Sequence, residues 1–138
     1  MTIQEDMIVE ISKSREKFFG CSGKMLIPCP ATIAKLLAEI PKNKLITTDS
    51  LRRELARRAG VQVACPPSTL NALKAIATDP ALEIEYWRVV KKNGELLSLI
   101  PGGIVKQFAI LTEEGFKLDA SGNTPKVVGL SDYLVKFD

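Results

Sequence analysis

Residues 47–79, TTDSLRRELARRAGVQVACPPSTLNALKAIATD, decide the fold. Thr47, Thr48 and Asp49 are capping residue types, and behind them Leu51, Leu55 and Ala59 recur at helical spacing. Gly60 supplies a stop, because glycine adopts the left-handed conformation that ends many helices. Residues 61–64 read as a short link. Pro66 and Pro67 then open a second helix, since proline suits a first turn where its missing N–H is not needed. Its apolar face is Leu70, Leu73 and Ile76 or Ala77, and it ends near Asp79–Pro80. Two helices joined by a short turn, each apolar on one face, form a helix-turn-helix.

Upstream, residues 1–20 alternate weakly and read as a helix or an arm. A turn at Gly20–Gly23 leads to a short strand, Lys24–Ile27. Pro30 opens a helix carrying Ile33, Leu36, Leu37 and Ile40, and Pro41 stops it. Downstream, Ile84–Lys91 alternates loosely and Leu96–Ile100 returns across Asn93–Gly94, a strong hairpin turn signal. A hairpin after a helix-turn-helix is the wing arrangement. Residues 101–103, Pro-Gly-Gly, break the chain before a last helix, Ile104–Glu114, with Ile104, Phe108 and Leu111 inward and Gly115 at its end. The tail holds a polar loop and a strand, Val127–Leu134. The expected fold is mostly α with a small β-hairpin, a winged helix-turn-helix in a single domain over residues 1–138.

The totals narrow the function. A chain of 138 residues with 46% hydrophobic and 25% charged residues is an ordinary globular domain, able to bury a core without staples. Its net charge of +3 permits phosphate binding without demanding it. No apolar run approaches the roughly 18 residues of a membrane span, and the first residues show no basic stretch followed by an apolar one. The expected location is the cytoplasm, without membrane contact. Histidine is absent, which removes Ser/His and Cys/His nucleophilic pairs and every histidine-containing metal site. The three cysteines, Cys21, Cys29 and Cys65, contain no CxxC pair, so neither metal nor cofactor is expected. Cys65, before two prolines at a helix start, is read as a small buried hydrophobe in preference to a reactive thiol.

Four segments in order carry a resemblance. IPKNKLITTDSLRREL (40–55), the helix from Pro67 to Ala77, YWRVV (86–90) and GGIVKQFAILTEEG (102–115) stand at family-like spacing. Together they resemble the C-terminal DNA-binding domain of the methylated-DNA–protein cysteine methyltransferases, and most closely their non-enzymatic relatives, the alkyltransferase-like proteins. The likeness spans about residues 30–116 and leaves extensions at both ends, which either dock onto the domain or take a protein partner.

The resemblance implies site residues and their departures. With Arg88–Val89 as anchor, Tyr86 stands where the enzymes carry the acceptor cysteine, and Trp87 stands where they carry histidine. Glu114 matches the glutamate of their proton relay. Thr48 replaces the tyrosine that turns the lesion-side phosphate, and Ser68 or Thr69 replaces the arginine that enters the base stack. A relay needs a base beside a thiol, so no alkyl transfer is expected and the chain is read as a non-enzyme. The implied partner is double-stranded DNA, held by Thr48, Arg52, Arg53, Ser68, Thr69, Asn71 and Lys74, with Tyr86, Trp87 and Glu114 at a base pocket.

Plainer readings stand beside these. Arg52, Arg53, Arg57 and Arg58 also suit a solvated helix face partly offset by Glu54. Tyr86 and Trp87, if on a strand, point to opposite faces, so that one of them is core. Arg88 suits an internal ion pair. In function, the alternative is a winged-helix transcription regulator or interaction module without lesion preference, and the least favoured is a transferase using Cys65.

Overall fold

The computed structural model describes residues 5–98 and 102–137. Proline and glycine punctuate it as the sequence demands. Helix α2 (Pro30–Leu37) starts on its proline, and α3 (Thr48–Ala59) is capped by Thr47, whose hydroxyl accepts from the Ser50 amide at 3.1 Å. Gly60 closes α3 in the left-handed conformation, with φ of 70°. Helix α4 (Pro66–Ala77) again starts on proline, and α5 is Gly103–Glu113.

The residues ahead of α2 form two strands and a short helix. Strand β1 (Met7–Glu10) precedes α1 (Lys13–Phe19) and β2 (Lys24–Ile27). β1 pairs antiparallel with β2, from Met7 opposite Ile27 to Glu10 opposite Lys24. The expected link at 61–64 contains a strand as well: β4 (Val63–Ala64) pairs parallel with β2 and completes a three-stranded sheet. The amide of Cys65 reaches the Leu26 carbonyl at 2.8 Å, and the Gln62 side chain accepts from the Lys24 amide at 2.7 Å. The N-terminal extension is thereby stitched into the turn between α3 and α4. A two-residue strand leaves no periodic trace, so the sequence of the link carries no sign of sheet.

Most of the apolar mass lies in one core. Ile33, Leu36 and Leu37 of α2 meet Leu73 and Ile76 of α4, with Leu51 and Leu55 of α3 beneath them. A second cluster joins Leu111 of α5 to Leu45, Val90, Leu96, Phe116 and Val127, and a small third one holds Ile11, Met25 and Cys65 under the N-terminal sheet. Among the described residues no helix is long and apolar enough to cross a membrane.

The expected wing hairpin is not formed among the described residues, although its turn is. The Gly94 amide donates to the Lys91 carbonyl and the Lys91 amide to the Glu95 carbonyl, each at 2.8 Å. No ladder extends from that turn. Tyr86–Arg88 is one turn of 3-10 helix, and β5 (Val89–Val90) pairs parallel with β3 (Ile46–Thr47). Arg88, Val89 and Val90 are all buried, and a segment covered on both faces suits parallel pairing better than a half-solvated hairpin. On the other side of the turn, Leu96 donates to the Pro125 carbonyl and Val127 to the Gly94 carbonyl, so the partner comes from the tail. Residues 99 and 100 of the expected return strand lie outside the described residues. The expected strand over 127–134 is also reduced. Strands β6 (Leu118–Asp119) and β7 (Lys126–Val127) pair antiparallel, a 3-10 turn occupies Leu130–Asp132, and Leu134 makes only a bridge to Leu45.

One buried carboxylate ties α3 together. Glu54 is 5% exposed and receives Arg57 at 2.6 Å and Arg58 at 2.7 Å, and Arg58 also grips Glu39 at 2.7 Å. Hydrogen bonds from Arg57 and Arg58 outweigh the burial that opposes them and hold the Glu54 carboxyl at about 2, against an ordinary 4.5. The folded state therefore binds this proton less readily than the unfolded one. The stability it contributes is complete above about pH 4.5 and is lost as pH falls toward 2. Glu54→Gln is expected to lower unfolding free energy at pH 7 by about 1.5–3 kcal/mol, the worth of hydrogen bonds to a charged group. It should also flatten the acid limb of the stability curve, both read from denaturant melts between pH 2 and 7.

Candidate nucleic-acid interface

Helix α4 presents one stripe. Pro67, Asn71, Lys74 and Thr78 are exposed at spacings of three and four, flanked by half-buried Ser68, Leu70 and Ala75. The buried side is Thr69, Ala72, Leu73 and Ile76. Leu73 and Ile76 lie on the buried side as expected, and two assignments in the first turn are corrected. Leu70 is partly outward, and Thr69 is fully buried with its hydroxyl donating to the Cys65 carbonyl at 2.7 Å. Thr69 therefore anchors the start of α4 and is not available at its surface, whereas Ser68, Asn71 and Lys74 are. Thr48, the first residue of α3, is half-buried.

The four arginines of α3 divide by partner. Arg57 and Arg58 are held by Glu54 and Glu39, and Arg52 donates to Asp49 at 2.6 Å. Arg53 is exposed and has no acidic group within ion-pair distance among the described residues. The i,i+3 and i,i+4 placement of Arg57 and Arg58 after Glu54 is visible in the sequence as a helical ion-pair pattern. It marks these two as structural.

The aromatic pair sits on the 3-10 turn, not on a strand. Tyr86 is 8% exposed within the main core, and Trp87 meets it edge-on with ring centroids 5.3 Å apart. The Lys106 ammonium stands 6.0 Å from the centre of the Tyr86 ring. Trp87 donates its indole N–H to Glu114 at 2.8 Å. Arg88 is completely buried and donates to Glu85 at 2.9 Å, to Glu114 at 3.1 Å and to the Lys44 carbonyl at 3.3 Å. Tyr86, Trp87 and Glu114 are thus brought together, and Arg88 makes the internal ion pair.

Gln107, which the sequence motifs do not single out, fixes this turn in place. It is fully buried on α5, donates to the carbonyls of Trp87 at 3.0 Å and Val89 at 2.9 Å, and accepts from the Leu97 amide at 2.8 Å. A polar residue on the inward side of an otherwise apolar helix face is the one available signal. Cys29 and Cys65 are buried, and Cys65 belongs to the small N-terminal cluster while Tyr86 belongs to the main core.

No protein-family model matches the chain, and no curated protein matches it either. Solved structures do. S. pombe Atl1, in complex with damaged DNA containing O6-carboxymethylguanine, superposes with a TM-score of 0.58 at 23% identity over 78% of this chain and 94% of that one. S. pombe ATL in complex with DNA superposes with a TM-score of 0.57 at 22% identity, with the same coverage. The chain has the alkyltransferase-like fold. Shape and sequence motifs therefore point to the same family of structures. Gln107→Leu, close in size but without donors or an acceptor, is expected to destabilise by about 1–3 kcal/mol for each buried group it strands. Thermal melts followed through Trp87, the only tryptophan, will report it as a lower midpoint.

Proposed function

We propose that this protein binds double-stranded DNA at alkylated or distorted sites and leaves the alkyl group in place. Ser68, Asn71 and Lys74 on the outer face of α4 meet the duplex, with Thr48, Arg52 and Arg53 of α3 toward the backbone. Short polar side chains suit base edges and cations suit phosphates. Trp87 and Glu114, both half-buried, take the displaced base, while Tyr86, expected beside them, lies in the core behind Trp87.

The observation that carries this reading is the pairing of the alkyltransferase-like fold with a turn that has lost its chemistry. The residue that the motif order aligns with the acceptor is a core tyrosine, and the donor to Glu114 is an indole. A thiolate with a neighbouring base is what alkyl transfer requires, and the chain has no histidine. The two buried cysteines, Cys29 and Cys65, are packed as small hydrophobes. The remaining capacity is recognition: a damaged or mismatched base costs less to unstack than a paired one, so even a weak pocket selects it.

Two duplexes that differ only by one O6-alkylguanine provide the test. The lesion duplex is expected to bind several-fold tighter in a gel-shift titration, with no added alkyl mass on the intact protein afterwards. Lys74→Ala should weaken both duplexes alike and reduce the log–log salt slope by about 1. Equal binding of both duplexes would leave a general DNA-binding module, and a mass gain on any cysteine would restore the transferase reading.

A further inference from the structure

Between α1 and α3 runs an open groove of about 540 Å³. Its walls are Phe18 and Phe19 on one side and Arg52, Arg53 and Arg57 on the other, and it ends at Pro66. No carboxylate lines it among the described residues. Phe18 is 77% exposed and meets Phe19 edge-on at 5.0 Å. An exposed aromatic ring thus shares one groove with three guanidinium groups, of which Arg53 alone has no acidic partner among the described residues.

We propose that this groove is a second contact for DNA, resting on the DNA-binding reading above: it takes the sugar–phosphate backbone that flanks the α4 contact. Arg53, which has no acidic partner among the described residues, donates to a phosphate, and Phe18 packs against the neighbouring deoxyribose. Three observations select this occupant. Cationic walls without an acidic residue complement a polyanion. Pro66, the first residue of α4, lines the groove, and the next residue, Pro67, is exposed on the outer face of that helix. The N-terminal strands are hydrogen-bonded to β4 in the turn before α4, so Phe18 rides on the same rigid unit as the helix.

The spacing is workable. From Lys74 back to Pro66 is roughly 12 Å of helix, at about 1.5 Å per residue, or three to four base-pair steps of about 3.4 Å. A duplex centred on α4 thus needs to extend about four base pairs further to enter the groove. The N-terminal extension, in this role, lengthens the footprint and does not recruit a separate protein.

The experiment measures affinity for a short duplex confined to the α4 face and for one about four base pairs longer on each side. Wild type should bind the longer duplex more tightly. Phe18→Ala and Phe18→Glu, both at an exposed position outside the α4 contact, should each weaken the long duplex by about three- to tenfold and leave the short one unchanged. Arg53→Ala should lower the long-duplex salt slope by about 0.9. If Lys74→Ala weakens binding while both Phe18 variants match wild type on the long duplex, the groove proposal falls and the DNA-binding reading stands. If wild type binds neither duplex, both fall. A synthetic acidic peptide containing phenylalanine that binds wild type but not the Phe18→Glu variant, with duplex affinity unchanged, would assign the groove to a protein partner instead.

Discussion

A guanidinium taken completely out of water has to be met by carboxylate and carbonyl oxygens, because an unpaired buried charge is among the most destabilising groups a fold can hold. Arg88 is in that position. Its partners come from three places: Glu85 one turn earlier, the Lys44 carbonyl ahead of β3, and Glu114 at the end of α5. Satisfying one side chain therefore fixes the 3-10 turn, the parallel β3–β5 pair and the C-terminal end of α5 relative to one another. Gln107 repeats the logic with neutral groups further up the same helix. Tyr86 and Trp87 hang from this frame. The site's geometry is consequently a property of its buried polar network more than of the aromatic rings themselves.

The same reasoning separates structural charge from available charge. Along the sequence, α3 offers four arginines in one arc. In the fold, Glu54 and Glu39 neutralise two of them, and Asp49 engages a third. The Arg52–Asp49 pair is partly open to solvent, where such pairs are weak, so Arg52 can turn toward a phosphate at small cost, while Arg57 and Arg58 close on the buried Glu54 carboxylate and are held harder. A modest net charge of +3 thus becomes a local positive surface where α3, α4 and the N-terminal unit meet.

Legibility tracks the range of the interaction. Pro30, Thr47, Gly60 and Pro66 each act on their own backbone, and each is readable as a helix boundary. The Asn93–Gly94 turn is readable for the same reason, and it forms. The pairing on either side of that turn is not readable, because the partners of Gly94 and Leu96 are Val127 and Pro125, about thirty residues away, and no local pattern encodes that choice. The pairing of β4 with β2 is hidden likewise. The apolar pattern places Leu73 and Ile76 of α4 correctly and misreads only its first turn, where Thr69 is a polar residue on the buried side, made acceptable by the Cys65 carbonyl that its hydroxyl reaches. In the site, the motif order places Tyr86, Trp87 and Glu114 together, whereas Gln107 belongs to a network that only folding assembles.

The bond from Trp87 to Glu114 is one that an imidazole could also make. An imidazole and an indole both donate a ring N–H to a carboxylate, so either can fill the same position without disturbing the acceptor. They differ in what they can do next. Imidazole titrates near neutral pH and can take up and release a proton, whereas the indole nitrogen is a donor only. A turn built with indole retains the hydrogen bond, the burial and the ring stacking, and gives up proton transfer. Tyr86 beside it keeps its ring in the core, so the turn is a packed, hydrogen-bonded frame in which neither aromatic side chain offers a base.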